Sequence, residues 1–338
     1  MWSFCVPLGK YAFDGCSGLA ELTLPTGLKS IDSYAFRGCS GLTELTLPEG
    51  VTTLESYAFI NCTGLKSVAV PGSLGTLSSS VFSDCSGLQE LALGEGLSAI
   101  EANAFKGCTS LSSLSFPTSL TSLAGQAFYN CTGLSQLNYP TGWSKTLPYS
   151  GYSYTSPFQG CTSLTSVTIP EGVTQIPDYA FQNCSSLVSV SLPDTVTKMG
   201  TYAFNGCAHL SEIQWSAALT QIPDYAFQNC TELDTLELPE NLQSIGRNAF
   251  SGCSGLRQIT FNDTLEIIGN NAFQTCTGLV TLVCNDGLKT ISDYAFSGCG
   301  NLTTVNIPKS VSACGSNSFQ NCPKVTLYCY SGSERAEA

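Results

Sequence analysis

The cysteines recur every 23 residues, and this spacing constrains the fold more than any other feature of the chain. Fourteen of the 18 cysteines follow it, with one interval of 30 residues between Cys131 and Cys161. A fixed period of about 20 to 50 residues is typical of repeat architectures, in which one repeat alone cannot bury its apolar side chains. The period therefore predicts a continuous stack of about fourteen coils instead of separate globular domains.

Apolar residues occupy fixed columns around each of these cysteines. Phenylalanine lies three residues before every one of them, and these positions account for 14 of the 17 phenylalanines. Aliphatic residues lie three, six and eight residues after, as in Leu42, Leu45 and Leu47, and the last two are spaced like alternate residues of a β-strand. A proline such as Pro48 often follows and has no amide proton for a longer ladder, so each repeat is predicted to contain one short strand.

The full unit, LxxLxLPxxLxxIxxxAFxxC, resembles the BspA-like branch of the leucine-rich repeat superfamily. The resemblance implies a repeat solenoid that is mainly β, with short parallel strands on the concave face and irregular or short helical segments on the convex face. Residues 1–322 are predicted to form the solenoid, with a seven-residue insertion between Cys131 and Cys161, and residues 323–338 a closing strand and tail. The chain starts inside a repeat, so we expect a fragment of a longer protein.

Composition excludes two classes of partner. The chain has 25 Asp and Glu against 13 Lys and Arg, a net charge of −12. Such a surface repels phosphates, so no nucleic acid partner is expected. No run of roughly 18 apolar residues occurs, so no membrane insertion is expected within this segment.

The cysteines are predicted to be free thiols in the core. No close pair such as C-x2-C is present, so no zinc site, metal or other cofactor is predicted. Cysteines stacked in parallel coils would hold their Cβ atoms farther apart than a disulfide prefers, and buried thiols usually act as small apolar groups. Cys284 and Cys314 are expected to replace core aliphatic residues. Gly or Ser two residues after each column cysteine is expected to adopt a positive φ.

The sequence contains no recognisable catalytic constellation. His209 is the only histidine, and it lies in a turn column otherwise filled mostly by Gly and Ser, so a surface role is expected. Triad chemistry would need an oriented carboxylate and a nucleophile around this histidine, and no such spacing is present. The chain is therefore predicted not to be an enzyme.

Two places are candidates for partner binding. Residues five and seven after each cysteine should point outward from the concave sheet, although a solvated sheet without a ligand explains them equally well. These candidates are Glu21, Thr23, Glu44, Thr46, Glu90, Gln136, Asn138, Glu212, Gln214 and Glu237. The insertion supplies the second place, with Tyr149, Tyr152 and Tyr154 as candidates and Trp143 assigned to the core. A tolerated insertion without function is the alternative there.

The resemblance also implies a function. Proteins of this branch are associated with bacterial surfaces, adhesion and binding of host proteins. The resemblance therefore implies a non-catalytic protein-binding module of a surface or secreted adhesin-like protein, with a host extracellular or plasma protein as partner and an extracellular or cell-surface location. The alternatives are an intracellular scaffold or effector, and a spacer or accessory array. An identical eleven-residue segment at 174–184 and 220–230 indicates recent duplication, which suits a spacer as well.

Overall fold

The computed structural model describes residues 7–148 and 154–329, which divide into two compact units at Val167 and Thr168. Each unit is a solenoid of short parallel strands, as predicted. Strands form because apolar and polar residues alternate, so that one side of each strand is buried. Leu45 is buried between the exposed Glu44 and Thr46, for example.

The predicted strand of each repeat forms a first strand row. Its members are β2 (Glu44–Thr46), β4 (Ser67–Val70), β6 (Glu90–Leu93), β8 (Ser113–Ser115), β10 (Gln136–Asn138), β12 (Ser166–Thr168), β14 (Ser189–Ser191), β16 (Glu212–Gln214), β18 (Thr235–Glu237), β20 (Gln258–Thr260), β22 (Thr281–Val283), β24 (Thr304–Ile307) and β26 (Thr326–Cys329). Partners are 23 residues apart, as in Leu45 beside Val68 and Val190 beside Ile213. One period thus equals one coil.

A second strand row, which the sequence did not predict, follows the proline of each repeat. It consists of β1 (Ser30–Ile31), β3 (Thr53–Leu54), β5 (Thr76–Leu77), β7 (Ala99–Ile100), β9 (Ser122–Ala124), β11 (Lys145–Leu147), β13 (Gln175–Ile176), β15 (Lys198–Met199), β17 (Gln221–Ile222), β19 (Ser244–Ile245), β21 (Ile267–Ile268), β23 (Thr290–Ile291) and β25 (Ala313–Cys314). The described residues contain a single helix, a 3-10 turn at Gly72–Leu74. Turns account for most of the irregular segment.

Phenylalanine rings stacked between coils form the centre of each unit. Phe250 stacks on Phe273 with ring centroids 5.3 Å apart and planes 5° apart, and both side chains are fully buried. Each ring also fixes the backbone of the next coil, since the Phe227 N–H donates to the carbonyl oxygen of Ala249 at 2.8 Å. The phenylalanine column therefore joins apolar packing to inter-coil hydrogen bonding.

The left-handed backbone positions differ from the expected one. Glycines two residues after a cysteine, such as Gly64, do not adopt a positive φ, so that expectation was wrong. An added Cβ at Gly64 would lie 2.1 Å from the Ser40 carbonyl oxygen, and close approach between coils is the physical reason for glycine here. Positive φ instead occurs one and five residues before the cysteines, as at Asn183 and Tyr179.

The buried thiols are hydrogen-bond donors as well as apolar groups. Cys230 Sγ donates to the carbonyl oxygen of Phe204 at 3.4 Å, and Cys253 Sγ to that of Phe227 at 3.2 Å. Each bond spans 26 residues and therefore reaches the preceding coil. Burial raises the pKa of the Cys131 and Cys253 thiols to about 12, which keeps them protonated at neutral pH.

Three of the described cysteines are exposed: Cys16, Cys314 and Cys329. The expectation that Cys314 replaces a core aliphatic residue was wrong, whereas Cys284 is buried as expected. Cys314 belongs to β25, which ends its sheet and pairs only with β23. A side chain in a coil paired on one side only loses half of the covering that the inner coils receive.

We expect alkylation of the native protein to modify Cys16, Cys314 and Cys329 within seconds to minutes and to spare the other described cysteines. The buried thiols are both inaccessible and protonated, and the thiolate is the reactive form. Mass spectrometry of iodoacetamide-treated protein, before and after denaturation, measures this pattern. Rapid native labelling of Cys230 would contradict the buried column.

Candidate functional site

The outward side chains of the first strand row form the most regular exposed surface of each unit, which we call the outer face. Glu44, Thr46 and Glu90 are exposed on β2 and β6. Gln136, Asn138, Glu212, Gln214 and Glu237 are likewise exposed on β10, β16 and β18. Glu21 and Thr23 are exposed in the first coil but belong to no strand.

Carboxylates on the outer face are separated by neutral residues. Glu44 and Glu90 both pair with Ser67, which lies between them, so the two carboxylates lie about 10 Å apart along the stack. Glu237 pairs with Thr260 in the same way. Separation limits the repulsion that like charges suffer when they lie directly opposite each other. The result is a spaced row of negative charge suited to basic groups on a partner.

The second candidate place is only partly described. Tyr149 and Tyr152 lie outside the described residues, and Tyr154 is exposed. Trp143 is buried, as predicted, with its indole N–H donating to the Lys145 carbonyl oxygen at 3.0 Å and its ring edge-on to Phe158. Since Leu147 still pairs with Ala124 at the 23-residue spacing, the extra residues lie between Leu147 and Phe158.

Several carboxylates that could be taken for binding residues bind the backbone of the next coil. Asp178 Oδ1 accepts the Thr201 N–H at 2.6 Å, and Asp293 Oδ1 accepts the Ser316 N–H at 2.7 Å. Glu95 accepts the Thr118 N–H, and this hydrogen bond lowers the pKa of its carboxyl. These acids stabilise the stack, which a sequence alone does not distinguish from a binding role.

His209 lies at the surface, as expected. Its Nδ1 is 2.5 Å from the Ser185 carbonyl oxygen and its Nε2 is 3.6 Å from the Glu232 carboxylate. Within 7–148 and 154–329, no group of three or more His, Cys, Asp or Glu side chains is placed to hold a metal ion. No helix in the same ranges has the length and apolar character needed to cross a membrane.

Sequence reasoning missed two tyrosine stacks. Tyr11, Tyr34 and Tyr57 stack in one unit, with centroids 5.2 and 4.9 Å apart. Tyr179, Tyr202 and Tyr225 stack in the other, at 5.0 and 4.5 Å. The signal was available in the sequence, since all six lie five residues before a column cysteine in consecutive repeats.

Comparison with known proteins gives a consistent result. A family profile described as "BspA type Leucine rich repeat region" matches in six copies, over residues 7–149, 153–280 and 243–333. A leucine-rich repeat protein from Bacteroides ovatus ATCC 8483 is 27% identical, with 88% of this chain and 82% of that chain covered and a TM-score of 0.65. No curated protein matches the sequence.

Two further solved structures are similar over parts of their length. The leucine-rich repeat protein of T. pallidum is 33% identical over 48% of this chain and 78% of that chain, with a TM-score of 0.46. A leucine rich cell surface protein from Faecalibacterium prausnitzii A2-165 is 22% identical over 93% and 86%, with a TM-score of 0.32. Leucine-rich repeats generally form non-catalytic protein-binding folds.

Proposed function

Because this chain belongs to the BspA-type leucine-rich repeat family, we propose that it is a non-catalytic protein-binding module of a cell-surface or secreted adhesin-like protein. The observation that carries the proposal is the outer face, a regular row of exposed, small and polar side chains on parallel strands. Solenoids present extended surfaces of this kind to their partners.

The composition of the outer face indicates how it binds. Binding hot spots are enriched in Trp, Tyr and Arg, and the candidate positions carry Glu, Thr, Gln and Asn instead. Binding is therefore broad and weak per residue, with the spaced carboxylates favouring a basic partner. The family resemblance supports a host extracellular or plasma protein as that partner and an extracellular or cell-surface location.

The experiment is retention of extracellular-matrix and plasma proteins on the immobilised chain, followed by affinity measurement for the retained protein. Reversing two charges on the outer face, Glu212→Lys with Glu237→Lys, is expected to weaken binding by about tenfold because two charge pairs are lost. The control, Glu171→Lys with Glu240→Lys, makes the same charge change at exposed positions off the strands. Retention of no protein, or equal weakening by both double variants, would contradict the proposal.

The insertion is the alternative location for binding, with Tyr149, Tyr152 and Tyr154 as the contact residues. Deleting residues 149–155 while keeping the buried Trp143 tests it. Loss of binding assigns the partner to the insertion, and undiminished binding with a weakened Glu212/Glu237 variant assigns it to the outer face. A spacer array predicts that neither change matters, since no partner is retained at all.

A further inference from the structure

The tyrosine stack of the second unit occupies backbone positions that do not require tyrosine. Tyr202 and Tyr225 have φ values of 57° and 60°, and Asn248 and Asn271 occupy the same column at 52° and 58°. Asparagine adopts this left-handed conformation more readily than a bulky residue does. Stacking offsets part of that strain. Strained residues on a surface are a recognised indication of function, so we asked what these two rings could bind.

The tyrosine stack of the first unit shows one ligand chemistry directly. Arg37 Cζ lies 5.7 Å from the Tyr11 ring centroid and 5.6 Å from that of Tyr34. Its Nε and Nη2 donate to the two carboxylate oxygens of Asp14, both at 2.7 Å. Nearly equal distances to two stacked rings place the guanidinium beside the pair. A tyrosine pair with an adjacent carboxylate therefore holds an arginine in this protein.

The second unit repeats the rings but supplies no cation of its own. The positions of Asp14 and Arg37, two residues before the column cysteine, are Gln182 and Asn205 there. Asn205 donates to Gln228 at 2.9 Å, whereas the buried Oε1 of Gln182 accepts no hydrogen bond. No described Lys or Arg side chain lies over the ring of Tyr202 or Tyr225.

Negative charge surrounds these two rings. Burial raises the pKa of the Tyr202 hydroxyl, and the neighbouring tyrosines and the Asp224 carboxylate add to the rise, which places this carboxylate beside the stack. Asp224 Oδ1 accepts the Arg247 N–H at 2.7 Å. Residues 168–250 contain nine Asp and Glu against two Lys and Arg, so the local field attracts cations. Arg247 is the basic residue nearest in sequence, and its guanidinium lies over neither ring.

We propose that Tyr202, Tyr225 and the Asp224 carboxylate bind an arginine side chain from a basic segment of a partner protein. Arginine suits the site better than lysine because its planar guanidinium contacts aromatic rings and donates to a carboxylate at the same time. The proposal goes beyond the outer face, since it names a separate surface and the chemistry of the group that binds there.

Selectivity for arginine at matched charge tests the proposal. Fluorescence anisotropy with labelled nine-residue oligoarginine and oligolysine peptides, at about 150 mM salt to screen long-range attraction, gives the ratio of their affinities. We expect about tenfold preference for oligoarginine in the native chain. The double variant Tyr202→Asn, Tyr225→Asn is expected to lose that preference while still binding oligolysine through the unchanged acidic surface.

The matched control is Tyr294→Asn, which changes an exposed tyrosine of the same column outside both stacks. Its selectivity should equal that of the native chain. Asparagine already occurs at this column position, so the variants are expected to fold, and their unfolding midpoints check this. Equal affinity for both peptides in the native chain, unchanged selectivity in the double variant, or lost selectivity in Tyr294→Asn would each overturn the site. None of these variants alters the outer face, so failure here leaves that proposal standing.

Discussion

Replacing Phe227 with alanine is expected to lower the free energy of unfolding by about 3–5 kcal/mol, the range for removing a buried phenylalanine. The Phe227 side chain is fully buried and stacks on Phe204 and Phe250 at 5.3 and 5.4 Å. Trp215 contacts the same ring edge-on at 5.3 Å. The stacked coils cannot collapse around the missing ring without breaking their hydrogen bonds, so a cavity persists. Urea unfolding followed by circular dichroism measures the loss.

The matched control is Phe13→Ala in the same column. Phe13 is only half-buried, and Phe36 is its one stacked neighbour among the described residues, with centroids 5.0 Å apart. Less contact is lost there, so the expected loss is about half as large or smaller. Equal losses at the two positions would show that stacking on both sides does not decide the stability of a coil.

Replacing Gly200 with alanine is expected to lower the free energy of unfolding by about 1–3 kcal/mol, the usual effect of overpacking. An ideal Cβ at Gly200 would lie 2.2 Å from the Asp178 nitrogen and 2.4 Å from the Pro177 carbonyl carbon. These are backbone atoms of the preceding coil and cannot move without disturbing it. The shift would also disturb the Asp178 carboxylate, which accepts the Thr201 N–H.

Gly9 lies in the same column and provides the control, because nothing lies within 4 Å of its ideal Cβ. Gly9→Ala is expected to change stability by no more than about 0.5 kcal/mol in the destabilising direction, since it only restricts the unfolded chain. Urea midpoints of the two variants compare the positions directly. A Gly200→Ala variant as stable as Gly9→Ala would mean that the coils can separate at this point.

The glycine prediction depends on a pairing that spans one period. Asp224 and Asp293 also bind the backbone of the next coil, and Gly246 and Gly315 follow them there as Gly200 follows Asp178. An aspartate in one repeat thus requires a glycine in the next. Reading each repeat separately hides this dependence, because neither residue is unusual within its own repeat.

The same reason explains which features were predictable. Leu45 and the phenylalanine column could be assigned to the core from a pattern within one repeat, and so could Trp143 from its column. The tyrosine stacks, the thiol hydrogen bonds and the second strand row depend on contacts between residues 23 or 26 positions apart. Gly64 was assigned to a turn conformation because its real constraint, a carbonyl oxygen of the preceding coil, is invisible in its own repeat.

The sequence by itself determined the period, the family, the first strand row and the buried columns, because alternation and repetition are one-dimensional properties of the chain. Only the tertiary structure decided which polar groups stabilise the stack and which face outward. Asp178 and Asp14 are both aspartates before a column cysteine, yet one binds a backbone N–H and the other an arginine beside two rings. The neighbouring coil makes that difference, since it alone supplies the partner atom within hydrogen-bonding distance.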